Sequence, residues 1–307
     1  MAADTSTLSA ALKEFYLPAI REQLNQKTKF LAQIERGSEQ VEGKQAHISV
    51  HVERNGRGVG SRAEGETLPT AANQTYDTVD VDLFYHYGQF LISGQIVRAA
   101  KSDRGSWLRA AESESRGLTN DARRDVNRQL WGTSNGVIAT CDTTSGSTEV
   151  ELLATTTATQ MRQFEVGMYV DIGTLAELDA GSGGPVYASK ITAVDRDVSG
   201  GTQSITISDS ISTVASTDFV ARAGSGGSSA STQRELTGIQ TIVNNSGTLH
   251  GINSSTYEVW KSSVLSNSGT NRAPTDELFE EALDEIDLDG GPLDNIQAWT
   301  SPAVRRV

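Results

Sequence analysis

Two short stretches of strict alternation, separated by a long glycine-punctuated segment, constrain this chain more than any other feature. In residues 45–54, Ala46, Ile48, Val50 and Val52 point one way and His47, Ser49, His51 and Glu53 the other. That is the two-residue period of a strand with one buried face. Residues 74–84 repeat the pattern, with Thr75, Val79, Val81 and Leu83 opposite Tyr76, Thr78, Asp80 and Asp82. The intervening residues 55–72 carry four glycines. The pattern predicts a long two-stranded arm with an irregular tip. A lone hairpin of this kind is marginal in water. Ordering about 40 residues costs roughly 60 kcal/mol. Burial alone would need about 2400 Å² of apolar surface to offset that, which is the size of an obligate interface. The arm is expected to be loose or to lie on a large partner surface; the plainer alternative is a hairpin packed on its own domain.

The rest of the chain supplies a body for that arm. Residues 8–35 read as helix, with Leu12, Phe15, Tyr16, Ala19, Ile20, Leu24, Leu31 and Ile34 at three- and four-residue spacing. Pro18 within this run fits the first turn of a second helix beginning near Leu17. Residues 102–131 read as one long helix. Its apolar stripe is Trp107, Leu108, Ala111, Leu118, Ala122, Val126 and Leu130, and its charged face carries Arg109, Glu112, Arg116, Asp121, Arg123, Arg124, Asp125 and Arg128. From 150 to 230 the composition turns to Thr, Ser and Gly, with strands expected at 168–173, 188–195, 203–209 and 217–222. Helix is expected again over 256–265 and over 275–287, where Thr275 can cap. A short strand is expected at 295–300. Ser301-Pro302 starts a further helical turn; the expectation is either that Val307 is not the natural end of the domain or that this last turn docks elsewhere.

Charge and composition narrow the function. With 39 acidic and 26 basic side chains the net charge is -13, and such a surface repels phosphate, so tight nucleic-acid binding is a poor expectation. The single cysteine, Cys141, cannot form an internal disulfide. No apolar run approaches the length of a membrane span, and the polar start lacks the features of a signal peptide; a cytosolic protein is expected.

Several motifs come close to a chemistry and miss it. Gly56-Arg57-Gly58-Val59-Gly60 follows a strand, but no helix follows and the dinucleotide-binding spacing is wrong. Residues 37–44 approach a phosphate loop, but have one residue too many and Gln45 where a hydroxyl is required. Glu285, Asp287, Asp289 and Gly290 resemble the start of a calcium loop that has Ile296 at its twelfth position, where a bidentate carboxylate belongs. His47 and His51, four apart on a strand, are ~13 Å apart and cannot share a metal. No nucleophile–base arrangement emerges; the expectation is no catalytic residue, no cofactor and no metal.

The order of parts resembles the Hong Kong 97-like major capsid proteins of tailed bacteriophages. The segment from Phe15 to Asn25 looks like the N-terminal arm of that family, residues 45–84 like its extended loop, 102–131 like its spine helix, and 236–252 like the return into its axial domain. The resemblance implies an α+β fold of this type. It would comprise an N-terminal helical arm (1–44), an extended β-hairpin loop (45–84), and a peripheral domain with the spine helix (85–149). An inserted, barrel-like all-β module (150–230) and an axial domain, incomplete at its end (231–307), would follow. It further implies a homo-oligomer of hexamers and pentamers that tiles an icosahedral shell in the virion, assembled in the host cytoplasm. The implied partners are a scaffolding protein, a portal, decoration proteins, and enclosed double-stranded DNA bound without sequence preference. Inter-subunit contacts are expected at the loop tip, through Glu53, Arg54, Arg57, Arg62, Glu64, Glu66 and Leu68. The Lys–Asn crosslinks of some family members are not expected, because residues 45–100 contain no lysine. An encapsulin-like compartment shell shares this fold and is the nearest alternative; a β-rich binding module is a more distant one.

Overall fold

The structure, a computed structural model, describes residues 29–34, 45–95, 104–181, 184–196, 203–211, 213–227, 233–270, 272–294 and 296–300, with only the backbone of 29, 104–111, 145 and 158. It is a mixed α and β fold organised around a curled antiparallel sheet. Most of the expected N-terminal helix, including the Phe15–Asn25 segment, lies outside the described residues, as does Ser301-Pro302.

Within them, α1 (Lys29–Gln33) docks on the end of a long helix, where Phe30 and Trp131 have ring centroids 4.5 Å apart. Strands β1 (Gln45–Glu53) and β2 (Thr75–Asp82) form the expected antiparallel ladder, from the pair Gln45–Asp82 to the pair Glu53–Thr75, with a bulge between His51 and Glu53. Helix α2 runs from Arg104 to Trp131, within two residues of the span read from its periodicity.

The chain then builds the sheet: β3 (Val137–Thr140), β4 (Thr144–Ser145), β5 (Glu149–Glu151), β6 (Tyr169–Gly173), β7 (Val186–Asp195), β8 (Ser204–Ile207), β9 (Thr213–Val214) and β10 (Phe219–Arg222). Six strands pair in the order β3-β10-β6-β7-β8-β5, and β4 pairs with β9. Two short helices, α3 (Ala158–Met161) and α4 (Leu175–Ala180), are threaded between strands, α4 opening with a Thr174–Glu177 capping box. The sheet takes in strands from Val137 onward, ahead of the expected module start at 150. These first strands are too short to announce themselves by alternation; they join the sheet by pairing β3 with β10, β4 with β9 and β5 with β8.

The sheet curls until its edges meet. Cys141 and Leu152 form a bridge, the Asp142 N–H donates to the Glu151 carbonyl at 2.8 Å, and the Leu153 N–H donates to the Thr140 carbonyl at 3.1 Å. Bulges in the β6–β7, β7–β8 and β3–β10 ladders supply the bend. Buried Asp171 accepts from the Ala188 N–H at 2.6 Å and the Gly224 N–H at 2.7 Å, satisfying donors that a regular ladder would have paired. Phe164, Leu152, Ile172, Ile191, Ile205 and Ile207 fill the interior.

After the sheet come α5 (Ile239–Ile242) and a small hairpin of β11 (Thr248–Leu249) with β12 (Ile252–Asn253). Over 256–265 the expected helix is only a 3-10 turn at Glu258–Trp260. Helix α6 (Asp276–Leu288) starts where Thr275 accepts from the Leu278 N–H, as its sequence predicts. Residues 296–300 are not a strand. Trp299 instead packs on Phe30 and Trp131, with centroids 5.0 Å and 6.1 Å away: an aromatic cluster anchors the segment without a strand partner, although its residues stay exposed.

Candidate functional site

The arm divides into a supported ladder and a bare tip. Val52 and Val79 are buried with Ile252, and Val50, Val81, Tyr257 and Trp260 pack around them. The Asp80 N–H donates to the His250 carbonyl at 2.9 Å. The alternation of β1 and β2 thus buries their valine face on the β11–β12 hairpin of the same chain, which corrects the expectation of an arm that is loose or held entirely by a partner. Ile48 remains half exposed. On the polar face His47 Nδ1 meets Asp80 Oδ1 at 2.5 Å and His51 Nε2 meets Gln74 Oε1 at 2.8 Å, so each histidine is used separately within the ladder.

Beyond Glu53 nothing among the described residues covers the tip. Glu53, Arg54, Arg57, Arg62, Glu64, Glu66 and Leu68 are all exposed, with Val59 85% and Leu68 81% accessible. The tip nevertheless has a defined shape. The Asn55 carboxamide oxygen accepts from the Gly58 N–H at 2.6 Å and the Arg57 N–H at 3.2 Å, while the Asn55 N–H donates to Gln74 at 2.9 Å. Arg62 donates to the Thr67 carbonyl at 3.1 Å and the Ser61 carbonyl at 2.9 Å. Among the described residues, Arg54, Arg57 and Arg62 have no ion-pair partner.

Helix α2 is built differently from its sequence stripe. Leu118, Ala122, Val126 and Leu130 are only half-buried, and the buried positions of its second half are Asp125 and Gln129, one turn apart. Asp125 accepts from Arg128 Nε at 3.1 Å, from Arg222 Nη1 at 2.5 Å and from Gln129 Nε2 at 2.9 Å. His86 Nε2 stands 3.7 Å away. Arg128 forks onto both carboxylate oxygens of Glu235, and Gln129 accepts from the Leu236 N–H at 3.3 Å. Burial by itself would push the Asp125 carboxyl up; the guanidiniums of Arg128 and Arg222 outweigh it and hold the group below the usual carboxylate range. Burial likewise works against the charge on Arg128, and Glu235 and then Asp125 overcome it.

The expected charged face of α2 is therefore corrected at its C-terminal half. Arg128 has only 9% of its side chain exposed, and Arg124 is mostly covered where it pairs with Glu165 of the β-module. Arg124 joins the helix to the β-module, and Arg128 joins it to the chain that returns past this end of the helix after β10. Glu112 and Arg116 do lie on the surface, 2.5 Å apart; the Arg109 side chain lies outside the described residues. Sequence reasoning singled out neither Asp125, Arg222 nor Glu235 as a partner. Asp125 is a local i,i+3 partner of Arg128, but no local signal marks Glu235, 107 positions from Arg128, or Arg222.

An open cleft of about 420 Å³, lined by Asp80, Asp82, Thr237 and His250 among others, lies beside the ladder. It contains no nucleophile hydrogen-bonded to a base among the described residues. Among them no three metal-ligating side chains cluster, and no helix is long and apolar enough to cross a membrane. The Cys141 thiol is fully buried, and burial, then the nearby Asp218 charge, push it up to about 12. It stays protonated and unreactive at neutral pH. Comparison with protein-family models, curated proteins and solved structures finds no match.

Proposed function

We propose that this chain is a shell-forming subunit, the major capsid protein of a tailed bacteriophage, with a Hong Kong 97-like fold. The observation that carries the reading is the arm tip: a shaped, exposed projection whose arginines have no ion-pair partner among the described residues, with two bare aliphatic side chains, on a protein of net charge -13. A soluble monomer gains nothing by holding such a tip in one shape, whereas a subunit that tiles a shell uses it to reach its neighbour. The long helix fastened to a β-module supports the same reading. Its ion pairs would give a shell wall fixed angles between helix and module.

In this reading copies of the chain form hexamers and pentamers in the virion shell, with scaffolding, portal and decoration proteins as partners and packaged double-stranded DNA inside. The acidic surface suits a wall that encloses DNA without gripping it. The test is electron microscopy of the protein expressed with its neighbouring genes. Closed icosahedral shells in which residues 54–74 lie on an adjacent subunit are the expected result. A persistent monomer at high concentration would overturn the reading.

A further inference from the structure

Helix α6 carries an apolar face with no cover among the described residues. Phe279 and Leu283, one turn apart, are 45% and 41% exposed. The side of the helix bearing Leu278, Ala282 and Ile286 is half-buried. At 100° per residue, Asp276, Glu280, Asp284 and Asp287 fall along the far border of Phe279 and Leu283. The helix holds no basic residue, and its one ion pair among the described residues joins Glu281 to Arg272. An exposed aromatic–aliphatic stripe with an anionic border fits a partner that brings apolar atoms and cations together.

The arm tip is such a partner. Arg54, Arg57 and Arg62 follow one another with no acidic residue between them, and Val59 lies in their midst. Val59 is 85% exposed, and the backbone around Arg57 is pinned by Asn55. Two copies of a chain with net charge -13 repel, so a cationic projection meeting an anionic border selects where they can approach.

We propose that the apolar face of α6 is the docking site for the arm tip of a second copy, with Val59 against Phe279 and Leu283 and the tip arginines along the acidic border. This rests on the shell-subunit reading and names the surface that the arm engages.

The test has two parts, both in the full chain assembled as particles. Arg54→Glu with Arg57→Glu should cut particle yield by an order of magnitude or more. So should Glu280→Arg with Asp284→Arg, and the four changes combined in one chain should restore assembly. All four sites are on the surface, so circular dichroism should show each variant folded. Independently, Val59→Cys with Phe279→Cys should give a ladder of disulfide-linked multimers on a non-reducing gel, with buried Cys141 not participating. Particles indifferent to the charge reversals, or a cysteine pair that closes within one chain or not at all, would overturn the docking site while leaving the shell reading intact. Wild-type protein that makes no particles under any condition would remove the shell reading and this inference with it.

Discussion

Arg128 and Glu235, 107 positions apart, form a two-pronged ion pair whose side chains are 9% and 2% exposed. It fastens the last turns of α2 to the strand of chain that leaves the β-module. Asp125, one helical turn before Gln129, ties the same arginine to Arg222 of β10. Helix, sheet and returning chain therefore meet on charge and not on hydrocarbon.

Such a pair is costly to break and less costly to replace. Glu235→Ala strands a buried guanidinium and should destabilise the fold by about 3–5 kcal/mol. Replacing Arg128 and Glu235 together by Met and Leu should cost much less. Urea unfolding of the two variants decides this; equal losses would show that the pair is not acting as a unit.

The depressed Asp125 carboxyl gives the fold an acid-side dependence. A carboxyl whose folded pKa lies below its unfolded value, near 3.9, contributes stability that is complete above the unfolded value. That contribution is lost as pH falls through the folded one. The stability gap between wild type and Asp125→Asn should be constant at neutral pH and close below about pH 4. Thermal melts from pH 7 downward would show it, and a gap that widened in acid would contradict it.

Two glycines predict opposite outcomes. A Cβ on Gly238 would sit within 2.8 Å of the Gly132 and Gln129 carbonyl groups at the end of α2, so Gly238→Ala should destabilise by about 1–3 kcal/mol. A Cβ on Gly117, in the middle of α2, meets nothing within 4 Å, so Gly117→Ala should stabilise by about 0.5–1 kcal/mol through helix propensity. Melting temperatures of the two variants should move in opposite directions.

Cys141 reports on the closure of the sheet. Buried at the bridge with Leu152 and held protonated, it should react with a thiol reagent at neutral pH only as fast as the β-module opens. Its labelling rate should rise steeply across the urea transition. Fast labelling of the folded protein would mean that the seam between β3 and β5 is open.

The sequence alone determined what depends on neighbours along the chain. The period of two placed β1 and β2, the 3.6-residue period placed α2, the cap at Thr275 placed the start of α6, and turn chemistry located β6, β7, β8 and β10 to within a few residues. Tertiary structure decided which side of each element is buried and against what. Periodicity assigns apolar side chains to the interior, so it pointed to Leu118 and Val126 and passed over Asp125 and Gln129, whose burial is bought by partners supplied from β10 and residues 235–236. Closure at Cys141 and Leu152 likewise depends on accumulated bulges and twist. The valine face of the arm found a cover only because the β11–β12 hairpin, more than 150 positions downstream of β2, returns to it. Contacts of that sequence separation are fixed by the whole chain's packing, and no local window of residues contains them.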